Sequence, residues 1–337
     1  MQIEDQSNII VYFNNRYVPL RDAKVSILTH ALNYGTGVFD GIRGYWDERQ
    51  EQIFLARPME HFRRWKANSG ILRIGIGPDA SELCSIAVEL IRRNHFRSHV
   101  YVRPLAYKSA ERIGVNPDDR DAFSVIVVPF GDYLDSKNGL HAGVVSWRRI
   151  EDNAIPGRAK ICGSYVNSAL AGDEARRNGF DEAIFLTEAG HVAEGATCNI
   201  FLVRGGKLVT PPGTENILEG ITRNCVMEIA HNELHLDVVE RPIDRSELYL
   251  ADEIFFTGTA VEVAPVTRVD HRAVGSGAIG PVAAELRFLY LEATRGHLPN
   301  YRHWLLPAYP TAPAHAEDAA ELEPVLAGGG DGDLWGV

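Results

Sequence analysis

The chain has 337 residues, of which 45% are hydrophobic and 23% are charged, so it is a globular protein long enough for two domains. Its net charge of −11 argues against the basic surface that a nucleic-acid-binding protein requires. No apolar run reaches the roughly 18 residues of a membrane-spanning helix, and the acidic N-terminus does not resemble a secretory signal. The four cysteines are widely spaced, as is typical of reduced thiols, so we expect a soluble cytoplasmic protein.

The first third of the chain predicts a mixture of strands and helices. The segment NIIVYFNNRYVPL predicts a hairpin with Asn14 and Asn15 at its turn. Two segments have apolar residues at helical spacing, and two more are β-branched runs typical of buried strands. In chain order these segments are residues 57–72, 81–96, 99–107 and 122–130.

The second half predicts a larger domain of strands and helices. Strands are expected at 182–190, 199–210 and 253–260, with helices beginning near Gly163, Thr222 and Gly280. We therefore predict a two-domain α/β protein with a small N-terminal domain (1–133), a polar linker (134–141), a large domain (142–305) and a tail (306–337). The tail is rich in Pro, Ala, Gly and acidic residues and has no Lys or Arg, so we expect it to be disordered.

A lysine stands out in the stretch RAKICGSYVNSAL, residues 158–170. The chain has 28 arginines and only six lysines, so Lys160 is an uncommon choice of cation. A guanidinium stays protonated, whereas an amine can lose its proton and attack a carbonyl carbon. Lys160 is therefore a candidate nucleophile; the plainer alternative is a solvated lysine in a loop.

Two glycine-containing segments predict anion-binding backbone. In NILEGITRN, Gly220 precedes a helix for which Thr222 is a good N-cap. The amides of Ile221 and Thr222 would be free to bind a phosphate, the alternative being an ordinary capped helix. In FFTGTAVEV, the amides and hydroxyl of Thr259–Ala260 follow a buried strand, where a second anion site or a tight turn is expected.

Three further side chains are candidates for binding. Glu194 lies before a glycine in a turn between strands, either as a surface charge or as an acceptor for a protonated ring nitrogen. Tyr101 and Arg103 share one face of a strand. Because that strand is otherwise apolar, Arg103 requires a carboxylate partner, either from the protein or from a substrate. The segment HNELH resembles the zincin HExxH pattern, but its glutamate is displaced by one position.

Together these segments resemble the class IV pyridoxal-phosphate-dependent aminotransferases, and among them the branched-chain amino acid aminotransferases. The resemblance extends from about Ile9 to Trp304. It implies a PLP fold type IV like that of D-amino acid aminotransferase, with the cofactor between the two domains. The matching stretches are THALNYGTGVFDGIRGY, EHFRRW, YVRPL, RAKICGSYVNSAL, EGATCNIF, LEGITR and FFTGTAVEVAPV.

The resemblance implies a role for each cofactor-binding residue. Lys160 would form the Schiff base with pyridoxal 5′-phosphate and move the proton between the substrate Cα and the cofactor, with burial and imine formation keeping the amine neutral. Glu194 would pair with the pyridine nitrogen, and Tyr165 with the ring hydroxylate. The phosphate and ring would be held by Arg64, the amides of Ile221 and Thr222, the hydroxyls of Thr222 and Thr259, and the side chain of Leu218.

The resemblance also implies how substrates bind. Tyr101 and the Thr259–Ala260 amides would receive the α-carboxylate, and Arg103 the distal carboxylate of glutamate. An apolar pocket for the side chain would be formed by Tyr34, Phe39, Phe130 and Tyr133. Some relatives have tryptophan where this chain has Phe130. The loop at 111–117 would close over the pocket of a neighbouring subunit, which implies a homodimer or a higher homo-oligomer.

The implied reaction moves the amino group of leucine, isoleucine or valine to 2-oxoglutarate, with no metal. The same fold supports alternatives: a transaminase for D-amino acids, (R)-amines or an amino acid of specialised metabolism, or an aminodeoxychorismate lyase. An alternative from a different class of enzyme is a metal-dependent hydrolase, and the HNELH segment is the one feature that suggests it. The YVRP strand and the HALNYGTGVFDGIR stretch favour the branched-chain group.

Overall fold

The structure, a computed structural model, describes residues 8–131 and 136–310. Those residues form two sheets and six α-helices. The helices are α1 (His30–Tyr34), α2 (Pro58–Ile71), α3 (Ala80–Arg93), α4 (Tyr165–Arg177), α5 (Ile221–Asn232) and α6 (Pro281–Thr294). Short 3-10 helices span Leu20–Asp22, Cys162–Ser164, Gly213–Glu215, Arg245–Tyr249 and Pro299–Trp304. No helix within the described ranges is both long and apolar enough to cross a membrane.

The first sheet belongs to the N-terminal part of the chain and is antiparallel. Its strands are β1 (Ile10–Phe13), β2 (Arg16–Pro19), β3 (Gly37–Phe39), β4 (Ile42–Asp47), β5 (Gln52–Ala56), β6 (Val100–Lys108), β7 (Asp121–Pro129) and β17 (Leu305–Pro307). They lie in the order β17-β5-β4-β6-β7-β1-β2, with β3 beside β6. The predicted hairpin is confirmed: β1 and β2 pair, and Asn14 and Asn15 both have positive φ at the turn.

Helices α2 and α3 follow the predicted apolar periodicity and cover this sheet. Phe62 and Trp65 of α2 and Leu83 of α3 are fully buried in one cluster with strand residues such as Val102. The Trp65 indole donates to the Val38 carbonyl at 2.9 Å, so the ring's polar atom is satisfied in the core. Helix α2 is thereby fixed against β3, which matters because both carry residues of the site.

The second sheet is mixed. Its strands are β8 (Leu140–Arg148), β9 (Glu182–Leu186), β10 (Val192–Gly195), β11 (Asn199–Arg204), β12 (Lys207–Thr210), β13 (Val238–Glu240), β14 (Glu253–Gly258), β15 (Glu262–Val269) and β16 (Arg272–Ala273). The order is β10-β9-β8-β15-β14-β11-β12-β13, with β16 beside β15. Helices α5 and α6 pack on Phe201 and Phe255, whose rings stack 5.2 Å apart, while Phe256 points into a separate cluster.

Two boundaries differ from the sequence prediction. Strand β8 begins at Leu140, inside the predicted linker 134–141, of which residues up to 135 lie outside the described ranges. The tail begins later than predicted, because Leu306 pairs with Leu55 of β5 and Ala308 is buried. The prediction averaged the composition over 306–337 and so overlooked the apolar residues at its start. Residues 311–337 lie outside the described residues.

The helix starts are close to the predicted positions, but the predicted cap of α5 is wrong. Gly220 is the N-cap, with extended backbone, and Thr222 is the second helical residue. A Cβ at Gly220 would lie 2.1 Å from Oδ1 of Asn199, so a side chain is excluded there. The amides of Ile221 and Thr222 remain free of intrahelical acceptors, since they belong to the first turn.

Candidate functional site

A cleft of about 460 Å³ lies between the two sheets. It gathers residues from β3, α2, β6, β10, α4, α5 and the turn after β14. Most of the predicted site residues line it. They are Phe39, Arg64, Tyr101, Arg103, Phe130, Lys160, Tyr165, Glu194, Leu218, Ile221, Thr222, Thr259 and Ala260.

Lys160 lies in the loop before α4, and its carbonyl oxygen accepts a hydrogen bond from Phe39 N at 3.0 Å. Its Nζ donates to the Tyr165 hydroxyl at 2.7 Å. Burial acts to lower the pKa of Lys160, but the Tyr165 oxygen and the Asp40 carboxylate outweigh burial, so the pKa is raised. Burial thus acts in the predicted direction, but without the predicted imine it does not by itself keep this amine neutral. Bond formation at Nζ has to displace the proton.

Glu194 is buried on β10 and is held by three donors. Its Oε1 lies 2.9 Å from Nη2 of Arg149, and its Oε2 accepts from Asn199 Nδ2 and Leu218 N, both at 3.1 Å. Burial raises the pKa of Glu194, while Arg149 and the Leu218 amide oppose that rise. Arg149 and Asn199 were not predicted, although a polar residue opening the apolar strand NIFLV was a usable signal for Asn199.

Arg64, on α2, enters the cleft with its guanidinium already fixed. Nε donates to Asp40 Oδ2 at 3.0 Å, and Nη2 donates to Oδ1 at 2.7 Å. His61 Nδ1 lies 3.0 Å from the same Oδ1. Burial alone would raise the pKa of Asp40, yet Arg64 and His61 hold it well below its usual range. Asp40 therefore stays ionised and orients Arg64; neither Asp40 nor His61 was predicted.

One end of the cleft is an anion end, formed by Arg64, the first amides of α5 and the hydroxyls of Thr222 and Thr259. Thr257, two residues before Thr259, is fully buried and lines the same cleft. Its Oγ1 has no hydrogen-bond partner among the residues that the structure describes. Amides at a helix start, hydroxyls and a guanidinium together suit a phosphate group. Strand alternation from Thr259 was the signal that could have identified Thr257.

Tyr101 and Arg103 project from β6 on one side, as the prediction required. Arg103 Nη2 donates to the Tyr101 hydroxyl at 3.2 Å, and its guanidinium lies 4.4 Å from the centroid of Phe39. Arg103 Nε is buried and, within the described part of the chain, has no acceptor. Gly41 faces this pair, since a Cβ there would lie 1.9 Å from the Tyr101 hydroxyl oxygen. The Tyr101 hydroxyl and the Nε–H group of Arg103 are therefore two donors on one wall of the cleft, a combination that suits a carboxylate.

Arg43, on β4, was not predicted and links two walls of the cleft. Its Nη1 donates to the Ala260 carbonyl at 3.3 Å, and its Nη2 donates to the Gly131 carbonyl at 3.2 Å. The guanidinium lies 4.8 Å from the ring centroid of Phe130 and 3.6 Å from a Glu262 carboxylate oxygen. The buried Arg43 guanidinium thus connects the turn after β14, at Ala260, to the segment that contains Phe130 and Gly131.

Two predicted pocket residues are not in the cleft as described. Tyr34 does not line it: its hydroxyl accepts from Gly114 N at 2.9 Å, and its ring lies 4.7 Å from that of His30. The cleft of a single chain therefore lacks Tyr34, because α1 points it toward the loop at 111–117, and its assignment to the substrate pocket stays a prediction. Tyr133 lies outside the described residues.

The HNELH segment does not form the zincin arrangement. Helix α5 ends at Asn232, so His231 and His235 do not share a helix face. Glu233 instead accepts a hydrogen bond from the Tyr301 hydroxyl at 2.8 Å. Within residues 8–131 and 136–310, no group of three or more His, Cys, Asp or Glu side chains is arranged to hold a metal ion.

A family model described as amino-transferase class IV matches residues 37–269. The chain belongs to the class IV aminotransferase family. The predicted family and α/β fold class are thereby confirmed. Lys160, Glu194 and the amides at the start of α5 all lie in the matched range.

Relatives within the class IV aminotransferases match nearly the whole described chain. The probable branched-chain-amino-acid aminotransferase of Aquifex aeolicus (strain VF5) is 46% identical over 299 residues, 88% of this chain and 96% of that protein. The branched-chain amino acid aminotransferase of Thermobaculum terrenum in its PLP form aligns with TM-score 0.87 and 37% identity, covering 91% and 100% of the two chains. The branched-chain aminotransferase of the archaeon Thermoproteus uzoniensis with norvaline gives TM-score 0.85 and 40% identity, covering 89% and 99%.

Proposed function

We propose that this protein is a pyridoxal-phosphate-dependent transaminase that moves the amino group of leucine, isoleucine or valine to 2-oxoglutarate. The observation that carries the proposal is one cleft holding Lys160 Nζ, 2.7 Å from the Tyr165 hydroxyl, together with Glu194 and Arg64. The three relatives described above are all named as branched-chain aminotransferases, and the Thermobaculum terrenum structure is in its PLP form. When bound, pyridoxal phosphate supplies an electron sink for the substrate Cα.

The donor groups of the cleft fit the functional ends of that cofactor. Lys160 presents the amine for its aldehyde carbon. Arg64, the free α5 amides and the unpartnered Oγ1 of Thr257 present donors to its phosphate. Glu194, buried and fixed, presents an acceptor to its ring nitrogen, and Leu218 lines the cleft beside it. These donors and acceptors therefore support the assignment of the cofactor's phosphate, aldehyde and ring nitrogen to this cleft.

Each residue then has one task in the reaction. Lys160 Nζ would hold the cofactor through its aldehyde carbon and, as a free amine, would carry the proton taken from the substrate Cα. Tyr165 holds Nζ in place through the 2.7 Å hydrogen bond. Glu194 would accept a hydrogen bond from the ring nitrogen and so favour its protonated form. Arg64, locked by Asp40, prevents the phosphate end from shifting while the proton moves.

The substrate end of the cleft supports both half-reactions. Tyr101 and the Thr259–Ala260 amides receive the α-carboxylate. The rings of Phe39 and Phe130 form an apolar wall suited to a branched side chain. Arg103 Nε, buried and unpaired among the described residues, is available for the distal carboxylate of 2-oxoglutarate or glutamate. One pocket can thus accept an apolar or an anionic side chain in turn.

We also propose a cytoplasmic homodimer or higher homo-oligomer. Tyr34 and the loop at 111–117 form a single unit, because His30 Nε2 lies 3.1 Å from the Val115 carbonyl and Gly114 N donates to the Tyr34 hydroxyl. Val115 is 70% exposed, although it is apolar, which favours burial against a second subunit's cleft. Sedimentation measures the mass directly; a fully active monomer would contradict this part of the proposal.

The first experiment is a visible absorption spectrum of the purified protein reconstituted with pyridoxal phosphate, before and after addition of L-leucine without a keto acid. We expect a yellow band that bleaches to the pyridoxamine form. In Lys160→Ala, we expect the protein to fold with an unchanged thermal midpoint in the absence of cofactor, but to lose both the protein-linked band and turnover. Near-normal transamination by this variant would overturn the assignment of Lys160.

The choice of amino donor separates this proposal from its alternatives. If L-leucine bleaches the band and D-alanine does not, the assignment of a branched-chain L-amino acid holds. If only D-alanine or an (R)-amine does so, the cofactor assignment survives and the substrate assignment fails. Failure to reconstitute any band would remove the basis for the whole proposal.

A further inference from the structure

A small cavity of about 10 Å³ adjoins the anion end of the cleft, between the two domains. Arg43 and Arg57 of the N-terminal domain line one side of it. Thr222, Tyr290 and Trp304 of the C-terminal part line the other. Thr222, whose hydroxyl belongs to the anion end, therefore lines both the cleft and this cavity.

Three N–H groups of this wall have no hydrogen-bond partner among the described residues: Nε of Arg43, Nε of Arg57 and Nε1 of Trp304. Arg43 and Trp304 are only 3% and 2% exposed. In the described ranges just eight buried side-chain atoms lack a partner, and three of these belong to residues that line this one cavity. Buried donors are rarely left unsatisfied, so their concentration indicates an acceptor in the cavity.

The charges of the wall argue against an anion as that acceptor. Arg43 is paired with Glu262 at 3.6 Å, and Arg57 forms an ion pair with Glu228. The guanidinium of Arg57 also stacks 4.3 Å from the Trp304 ring centroid. Each cation thus already has a carboxylate, and a phosphate at the nearby anion end would repel a further negative charge. The acceptor has to be neutral.

The size of the cavity selects the acceptor. About 10 to 15 Å³ of probe-occupied volume holds one water molecule. We propose that a single buried water occupies this cavity, accepting hydrogen bonds from two of the three donors, Arg43 Nε and Trp304 Nε1, and donating to the hydroxyl oxygens of Thr222 and Tyr290. Such a water connects the N-terminal domain to the first turn of α5.

A crystal structure that resolves ordered water, with bromide replacing chloride in the crystallisation solution, tests the site itself. We expect one spherical density peak within hydrogen-bond distance of Arg43 Nε and Trp304 Nε1, without anomalous signal from bromide. An empty cavity would overturn the proposal, and so would a bromide peak, since that would identify an anion site.

The second test concerns coupling to the anion end, and this part rests on the proposed function. We expect Trp304→Phe to raise the Kd for pyridoxamine phosphate about five-fold, the equivalent of one neutral hydrogen bond. Tyr301→Phe is the matched control: Tyr301 lies in the same 3-10 helix, its ring is 4.5 Å from that of Trp304, and it loses a bond to Glu233 instead.

The control variant should bind pyridoxamine phosphate as the parent does. An unchanged Kd in Trp304→Phe, or an equal rise in both variants, would overturn the coupling, because the second result reports a general loosening of the 3-10 helix. If the parent protein binds no pyridoxamine phosphate, the proposed function fails. The crystallographic test of the water then still stands by itself.

Discussion

Replacing Asp40 with asparagine tests whether Asp40 positions the Arg64 guanidinium, because the substitution removes the contact and leaves Arg64 charged. The Asp40 carboxylate accepts four hydrogen bonds: two from Arg64 at 3.0 and 2.7 Å, one from His61 at 3.0 Å and one from Gly41 N at 2.7 Å. An asparagine of the same shape keeps one acceptor oxygen and turns an amide N–H toward the guanidinium. Asp40→Asn therefore breaks the two-point contact without opening a cavity.

The expected magnitude follows from the burial of the pair. Asp40 is fully buried and the Arg64 side chain is 15% exposed, so removal of the charge leaves a largely desolvated guanidinium. Loss of one partner of a buried ion pair costs about 3 kcal/mol of unfolding free energy, at the lower end for a partly exposed pair. Loss of one charge-assisted hydrogen bond at the phosphate corresponds to about 2 kcal/mol, or roughly a 30-fold rise in Kd.

Urea unfolding of the cofactor-free protein and titration with pyridoxamine phosphate measure the two effects separately. Asp173→Asn is the matched control, since Asp173 also accepts from two arginines, at 2.6 and 2.7 Å, but lies on the exposed surface of α4. Its unfolding free energy should change by less than about 0.5 kcal/mol and its Kd should not change. If Asp40→Asn binds pyridoxamine phosphate like the parent, Asp40 does not position Arg64.

The remaining predictions concern acid stability and the substrate pocket. Hydrogen bonds from Arg241 lower the pKa of Glu247 from 4.5 to about 2. The ionised Glu247 therefore contributes its full stabilisation of the folded protein above pH 4.5, the pKa of the unfolded state, and this contribution is lost as pH falls from 4.5 toward 2. Unfolding free energies across that window should fall less steeply in Glu247→Gln, and parallel curves would contradict the assignment. Gly41→Ala should displace the Tyr101 hydroxyl and raise the KM for leucine at least about ten-fold; an unchanged KM would show that the hydroxyl does not bind substrate.

Most of the residues proposed to contact the cofactor were predicted because they lie in short motifs. Lys160 was a candidate from its residue type alone, whereas Tyr165, five positions away, was assigned through the resemblance to the class IV aminotransferases. Residues that act through another residue were missed. Arg149 is 45 positions from Glu194, and Asp40 is 24 from Arg64, so no local pattern connects the partners.

The fold was predictable where periodicity was strong, as in α2, α3, β6 and β7. The errors arose where one local rule was applied without its tertiary context. Thr222 is a favourable N-cap by residue type, but the N-cap lies two residues earlier, at Gly220, which packs closely against Asn199. The contact of Tyr34 with Gly114 could not be predicted from a local rule either, because the two residues are 80 positions apart.

The position of β17 has a consequence for how the protein is made. Residues 305–307 are the last strand of the described chain, yet they complete the edge of the first sheet beside β5. The Trp304 carbonyl also accepts from Arg57 N, at the start of α2, and Ala308 N donates to Ile53. During synthesis the N-terminal domain emerges first, but its outer strand is delivered only after the whole second domain has been translated. The first domain to leave the ribosome is therefore the last to acquire its full set of strands.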